Sequence, residues 1–193
     1  MKTMKELTIP LLSVAALMFG GCVATSVYPF YGEDDPVFEP GLLGHWTKVQ
    51  HPDERWNFER DNGNGYRVVS VSQTSTNAGE AHWFKLEGQA FLDFTAPKWQ
   101  EDIQPQPVPS HILARVTQLK PTIKMLELSY DWLGQLLATN PAAVRHLVIK
   151  TGDKPDDRRV VLTADTAELQ RFVLSHLKTE GAWKESLELQ PAK

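Results

Sequence analysis

The sequence predicts a mainly β protein in which about eight strands form an antiparallel barrel or a strongly curved sheet, accompanied by two helices. Short runs of alternating polar and apolar residues recur from Leu42 onward, as in strands with one buried face. Clusters of Gly, Asn and Asp separate these runs, which is typical of hairpin turns. Helical periodicity is confined to two segments, at about residues 130–139 and 166–178.

The alternation is clearest in residues 54–60, where Trp56 and Phe58 face one side of a strand and the intervening polar residues face the other. The Asn- and Gly-rich stretch 61–65 then predicts a tight hairpin, because these residues accept a positive φ. Gly88-Gln89 indicates a second such turn. The candidate strands are 42–49, 54–60, 65–72, 80–87, 90–95, 111–119, 122–128, 144–150 and 159–163.

Each helix has recognisable ends. The first places Leu133, Leu136 and Leu137 on one face and stops at Asn140-Pro141. In the second, Asp165 is the predicted N-cap and Glu168 follows three residues later. Its apolar stripe, which predicts packing on the sheet, consists of Leu169, Phe172, Val173 and Leu177.

Residues 96–109 contain four prolines and predict a long irregular loop. Loops of this length without secondary structure are uncommon, and they are usually functional or disordered. Trp99 lies within this loop, where a place in the core is hard to explain. We therefore expect its ring to lie over the mouth of the barrel.

The N-terminus has the layout of a secretory signal, predicted to span residues 1–21. A basic head with Lys2 and Lys5 precedes an apolar run that is too short to span a bilayer. The following Gly20-Gly21-Cys22 resembles the lipobox of bacterial lipoproteins, although Phe19 stands where that pattern prefers Leu. The resemblance implies that Cys22 is acylated and becomes the first residue. The alternative is an ordinary signal cleaved after Ala24, which discards Cys22.

Acylation of Cys22 has consequences for the mature chain. Cys22 is the single cysteine, so the folded domain has no disulfide. Loss of the signal leaves 18 basic and 23 acidic residues, a net charge of −5. Two or more acyl chains hold a protein stably on a membrane. Because Val23 is not the Asp that retains many lipoproteins at the inner membrane, the resemblance implies the outer membrane, facing the periplasm, in a Gram-negative host.

Residues 22–41 are predicted to be a tether between the anchor and a single domain, 42–193. They contain three prolines and an acidic run but no helical or alternating period. A loose coil of this length reaches on the order of 25 Å. Its aromatic residues have two possible places, the membrane interface or the surface of the domain, and docking on the domain is favoured. These residues are Tyr28, Phe30, Tyr31 and Phe38.

Composition and motifs exclude several function classes. With 20 basic and 24 acidic residues, the chain lacks the basic stripe that nucleic-acid phosphates require. It contains no nucleophile elbow, zinc-protease motif, phosphate-binding loop or Cys-x-x-Cys pair. Asp153, Asp156 and Asp157 indicate a solvated turn rather than a calcium loop. The six histidines never share i, i+4 spacing, so neither a metal nor a cofactor is predicted.

A short motif at the first strand suggests a family. Gly44-His45-Trp46 resembles the signature of lipocalin-like (calycin) barrels, which implies that Trp46 plugs one end of an eight-stranded barrel holding an apolar ligand. Three further segments resemble uncharacterised bacterial envelope proteins and imply no activity. They are Phe91-Leu92-Asp93-Phe94, Asp131-Trp132-Leu133 and residues 161–170.

The aromatic strand residues are the candidate ligand site. Besides Trp46, the predicted lining of a calyx is Trp56, Phe58, Tyr66, Phe84 and Phe91. The alternative is that such rings fill a solid core, since an eight-stranded barrel is only just wide enough for either arrangement. Asp93 with Arg115 or His111 could fix a polar group of the ligand; the alternative is an ordinary solvent-facing or Arg-paired residue.

The leading hypothesis is a non-enzymatic, lipid-anchored envelope protein that binds or shields a small apolar ligand or lipid. One alternative is a structural or assembly lipoprotein that contacts an envelope protein through the loop 97–109 and the terminal helix. Another is a hydrolase or isomerase whose cleft brings together His111, Asp93 and Arg115.

Overall fold

A computed structural model describes residues 23–95, 110–150 and 158–193. Within these ranges the chain is mainly β, with a closed antiparallel barrel of eight strands and two helices. The predicted fold class is therefore confirmed, and the architecture is consistent with a lipocalin-like barrel. The strands are β1 (Thr25–Ser26), β2 (Gly44–Lys48), β3 (Arg55–Arg60), β4 (Gly65–Val71), β5 (Thr76–Leu86), β6 (Gln89–Thr95), β7 (Ile112–Gln118), β8 (Ile123–Leu128), β9 (His146–Lys150), β10 (Arg158–Leu162) and β11 (Trp183–Pro191).

The barrel is a meander from β2 to β8 that β11 closes by pairing with both β8 and β2. No strand was predicted at β11, because its apolar residues are few and its alternation is interrupted. A register shift between Glu185 and Leu187 adds one residue to the strand. Leu187 and Leu189 nevertheless point into the barrel and are almost fully buried.

The predicted strands 144–150 and 159–163 form but do not join the barrel, which corrects their place in the predicted set. As β9 and β10 they belong to a separate three-stranded sheet in the order β1-β10-β9. In this small sheet β1 runs parallel to β10, with Thr25 opposite Val161. β9 runs antiparallel to β10, with Val148 opposite Val160.

The interior of the barrel is packed with apolar side chains from all eight strands. None of fourteen large side chains that project inward is more than 7% exposed. Interiors packed in this way have few voids larger than a water molecule. These residues are Trp46, Trp56, Phe58, Tyr66, Val68, Trp83, Leu92, Phe94, Ile112, Val116, Ile123, Met125, Leu187 and Leu189.

A second core lies outside the barrel, on the outer face of β5 to β8. Helices α1 (Tyr130–Thr139) and α2 (Thr166–Ser175) pack there together with the small sheet. Each helix begins as predicted, because Ser129 and Asp165 accept hydrogen bonds from the backbone N–H groups of Trp132 and Glu168. Among the described residues, neither helix has the length and apolar character needed to cross a bilayer.

The described part of the predicted tether, residues 23–41, is packed onto the domain. Val23, Ala24 and Phe30 are buried. The backbones of Ser26 and His111 exchange two hydrogen bonds of 2.9 and 2.8 Å, which joins the segment to β7. The expectation of a loose coil is therefore corrected in favour of the docked alternative. The physical reason is that docking the aromatic rings, Phe30 above all, on the domain removes their apolar surface from water.

Candidate functional site

The residues predicted to line a ligand site divide between the two faces of the barrel wall. Trp46, Trp56, Phe58 and Tyr66 lie in the interior. Phe84 and Phe91 stack at 5.6 Å on the outer face, beneath the helices. A calyx that includes these two rings is therefore wrong. The reason is strand alternation, which places Phe84 on the opposite face from Trp83 and Phe91 on the opposite face from Leu92.

Two of the interior rings hydrogen-bond to the segment that precedes β2. A short 3-10 helix at Pro40–Leu42 precedes β2, and the Trp46 Nε1–H group donates to the Leu42 carbonyl at 2.9 Å. The Tyr66 hydroxyl donates to the carbonyl of Glu39 at 3.0 Å, and burial raises its pKa. Both rings thus hold the segment that enters the first barrel strand.

Asp93 lies on the outer face of β6 and is completely buried. Its carboxylate accepts the backbone N–H of Phe30 at 2.8 Å and lies 2.8 Å from His111 Nδ1. Burial raises the pKa of Asp93, and the His111 hydrogen bond opposes that rise. The predicted association with His111 is present, and its geometric effect is to hold the N-terminal segment against the barrel wall.

Arg115 does not join this pair. Its guanidinium donates to the Leu177 carbonyl at 2.8 Å and to the Gln89 side chain at 2.9 Å. It lies opposite Phe91 in the register, whereas Asp93 lies opposite Leu113. The structure therefore does not assemble the predicted cleft of His111, Asp93 and Arg115.

Two further polar residues extend the Asp93 cluster. The Tyr31 hydroxyl lies 3.2 Å from His82 Nδ1, and the two rings are 4.8 Å apart. Burial, with the nearby charges of Asp93 and Glu80, raises the pKa of Tyr31 to about 12. His82 was not singled out from the sequence, although it lies opposite Asp93 on the outer face. Strand alternation could place His82 beside Asp93 only once the pairing of β5 with β6 was known.

A groove of about 990 Å³ lies on the outer wall of β2, β3 and β4, which the helices leave uncovered. Val69 and Val71 form part of its floor, and the C-terminal residues form one wall. The wall is held by the N–H of Ala192, which donates to the His45 carbonyl at 3.0 Å. Arg55 lies at the groove and makes no side-chain hydrogen bond or ion pair with another described residue. The groove therefore combines apolar surface with an available cation.

A carboxylate lies on the inner face of the barrel wall. The register aligns Trp83, Leu92, Ala114 and Glu127 in one row, so Glu127 projects inward with Ala114. Its carboxylate pairs with Lys184 at 2.9 Å, and burial raises its pKa. The Glu127 Oε2 and Trp83 Nε1 atoms are buried and make no hydrogen bond within the described ranges. Alternation within the predicted strand 122–128 places Glu127 on the same face as Ile123 and Met125, but the pattern does not show which face is the interior, because Leu126 and Leu128 make the other face apolar as well.

Several predicted features lie outside the described residues. They are Cys22 with the signal 1–21, the loop 97–109 with Trp99, and the aspartates at 153, 156 and 157. Among the residues that the structure does describe, no group of three or more His, Cys, Asp or Glu side chains is placed to hold a metal ion.

The chain was also compared with known proteins. No protein-family model, curated protein or solved structure matches it.

Proposed function

We propose that the protein is a non-enzymatic, lipid-anchored binding protein of the cell envelope. Its ligand site is the groove on β2, β3 and β4, and its ligand is a small apolar molecule or lipid. The observation that carries the proposal is the size of the groove, about 990 Å³, together with its apolar floor. Sites for small ligands have volumes of roughly 300 to 1,000 Å³ and combine apolar surface with a few polar groups.

The polar rim of the groove indicates which apolar ligands suit it. Val69 and Val71 offer aliphatic contact, while Arg55 offers a guanidinium without a partner among the described residues. A guanidinium forms its strongest hydrogen bonds with carboxylates and phosphates. The preferred ligand therefore has an aliphatic chain and an acidic head, as a fatty acid or an anionic lipid does.

The interior of the barrel is the less suitable place for such a ligand. Its inward-facing rings are almost fully buried by one another, so an acyl chain would have to displace packed side chains. Displacing them leaves cavities or strained rotamers, each costing about 1–3 kcal/mol. The proposal therefore places the ligand on the outside of the wall.

The anchor is the acylated Cys22, which the lipobox resemblance implies. In a Gram-negative host it holds the protein on the outer membrane, facing the periplasm. The short distance between Cys22 and the packed residue Val23 supports close apposition of the domain to the lipid surface. The mass of the mature N-terminus tests this part: an acylated Cys22 is expected, and an unmodified start at Thr25 would refute it.

Binding is tested by titrating the full acylated protein with a fluorescent fatty acid. Val71→Glu places a charge on the groove floor and is expected to weaken binding about tenfold or more, the equivalent of about 1.4 kcal/mol. Val37→Glu is the matched control, because Val37 is similarly exposed but lies outside the groove. Equal affinity for both variants would contradict the groove as the site.

The role of Arg55 is tested by comparing an acidic ligand with a neutral one. Arg55→Gln is expected to weaken binding of the fatty acid but not of its neutral methyl ester, whereas Arg171→Gln should change neither. Loss of both ligands to the same extent would show that Arg55 supports the structure of the groove rather than the headgroup.

A second candidate function is a structural or assembly lipoprotein that binds an envelope protein. The packed interior favours it, because a solid barrel presents only its surface to partners. Crosslinking in cells distinguishes the two candidates. A specific envelope partner that the wild type and Val71→Glu capture equally supports assembly through a surface outside the groove, and capture of background proteins alone counts against it.

A further inference from the structure

The outer strand of the small sheet is unusually apolar. Three consecutive residues of β9, Leu147, Val148 and Ile149, are 59%, 49% and 48% exposed. Among the described residues, β9 pairs with β10 on one side and with no strand on the other. Exposed edges are normally protected by charges, prolines or covering segments. A contiguous apolar edge therefore indicates a surface that is covered in the working protein.

The register of the small sheet places this edge beside the start of the domain. β1 is parallel to β10, with Thr25 opposite Val161, so Val23 and Ala24 lie at the level of the first residues of β10. Those residues pair in turn with the end of β9, Arg159 opposite Ile149. Two strand spacings separate β1 from β9, which is about 10 Å.

Because Val23 is packed on the domain, the proposed anchor at Cys22 is attached directly to a packed part of the chain. Val23 is only 7% exposed, so a single peptide bond separates a buried residue from Cys22. An acyl anchor at Cys22 would hold this end of the small sheet at the level of the lipid headgroups. The neighbouring edge of β9 would then be within reach of the bilayer.

We propose that the β9 edge, Leu147 to Ile149, lies in the interfacial region of the bilayer to which the protein is anchored. This inference rests on the proposed acylation of Cys22. The bilayer is favoured over a second copy or a protein partner because β1, which begins beside the proposed anchor, and the apolar edge strand β9 belong to the same small sheet. The groove on β2 to β4 is formed by other strands and stays available to ligand.

The test uses an environment-sensitive fluorophore on the full acylated chain. Acylation occupies the single natural cysteine, so Leu147→Cys introduces the one thiol free for labelling. Leu43→Cys is the matched control, because Leu43 is also exposed but precedes the first barrel strand. The protein is bound to vesicles of phosphatidylethanolamine and phosphatidylglycerol, with and without a nitroxide-labelled lipid.

The expected result is a blue shift and quenching by the nitroxide lipid at position 147, with neither at position 43. Acylated, vesicle-bound protein whose label at 147 stays unquenched would overturn the inference and leave the anchor intact. A mass that shows Cys22 unmodified or absent would overturn both. Crosslinking between two introduced thiols at 147, with resistance to the lipid quencher, would assign the edge to a second copy and overturn the bilayer proposal.

Discussion

At the scale of single residues, attachment of the N-terminal segment depends on the buried carboxylate of Asp93. It accepts the N–H of Phe30, lies within hydrogen-bond distance of His111 Nδ1, and has no exposed surface. A buried donor left without its acceptor costs more than an average hydrogen bond contributes. Asp93 therefore stabilises the docked N-terminal segment.

Two replacements of Asp93 should distinguish what its hydrogen bonds contribute to stability from what its charge contributes. Asp93→Ala leaves the Phe30 N–H without its acceptor and should lower the free energy of unfolding by about 2–3 kcal/mol. Asp93→Asn keeps an acceptor and should cost less. Denaturant unfolding measures both, with the exposed Asp53→Ala as control. Equal losses for the alanine and asparagine variants would contradict this account.

The raised pKa of Asp93 predicts a particular pH dependence. A carboxyl group whose pKa is raised by burial holds its proton more tightly in the folded than in the unfolded state. Its contribution to stability is therefore fully present below the unfolded pKa of about 3.9 and is lost as the pH rises through the folded value. The unfolding free energy of the wild type, minus that of Asp93→Asn, should fall over this interval. A difference in unfolding free energy that stays constant or grows as the pH rises would contradict this prediction.

At the scale of elements, hairpins and helices were predictable because their signals are local. Gly63 and Gly88 have the positive φ that their turns require, and the second helix begins at the expected N-cap, Asp165. The partners of strands were not predictable. β9 and β10 have strong strand composition but pair outside the barrel, whereas β11, with a register shift and only two inward leucines, completes it.

Two leucine substitutions compare β11, which closes the barrel, with β9, the exposed edge strand of the small sheet. Leu189 of β11 is completely buried in the barrel, so Leu189→Ala should lower the free energy of unfolding by about 2–5 kcal/mol. Leu147→Ala on β9 should stay within about 0.5 kcal/mol of the wild type in detergent-solubilised protein. Denaturant unfolding compares them. Similar losses at the two positions would mean that β11 is not a core strand of the barrel.

At the scale of the whole molecule, the helices and the small sheet pack on the outer face of β5 to β8, and no described helix covers the outer face of β2 to β4. The alternating pattern predicts two faces for each strand, but it does not show which face another element covers. Trp46, Trp56, Phe58 and Tyr66 lie in the interior cluster, whereas nothing in the alternating pattern indicates the groove at Val69 and Val71. The arrangement separates a packed barrel from the proposed binding surface.

This separation predicts that stability and ligand affinity respond to different residues. Ile123→Val creates a small void in the interior and should lower the free energy of unfolding by about 0.5–1.5 kcal/mol. Affinity for the fluorescent fatty acid should remain within about twofold of the wild type, since the groove is untouched. A large change in affinity, in either direction, would place the ligand in the interior.

The most direct measurement is residue-level mapping of a photoreactive fatty acid crosslinked to the full acylated protein. The proposed site predicts attachment to groove residues, including Arg55, Val71 and residues 190–193. Attachment to interior residues such as Phe58, Trp83 or Met125 would contradict it, as would labelling no greater than that of a denatured control.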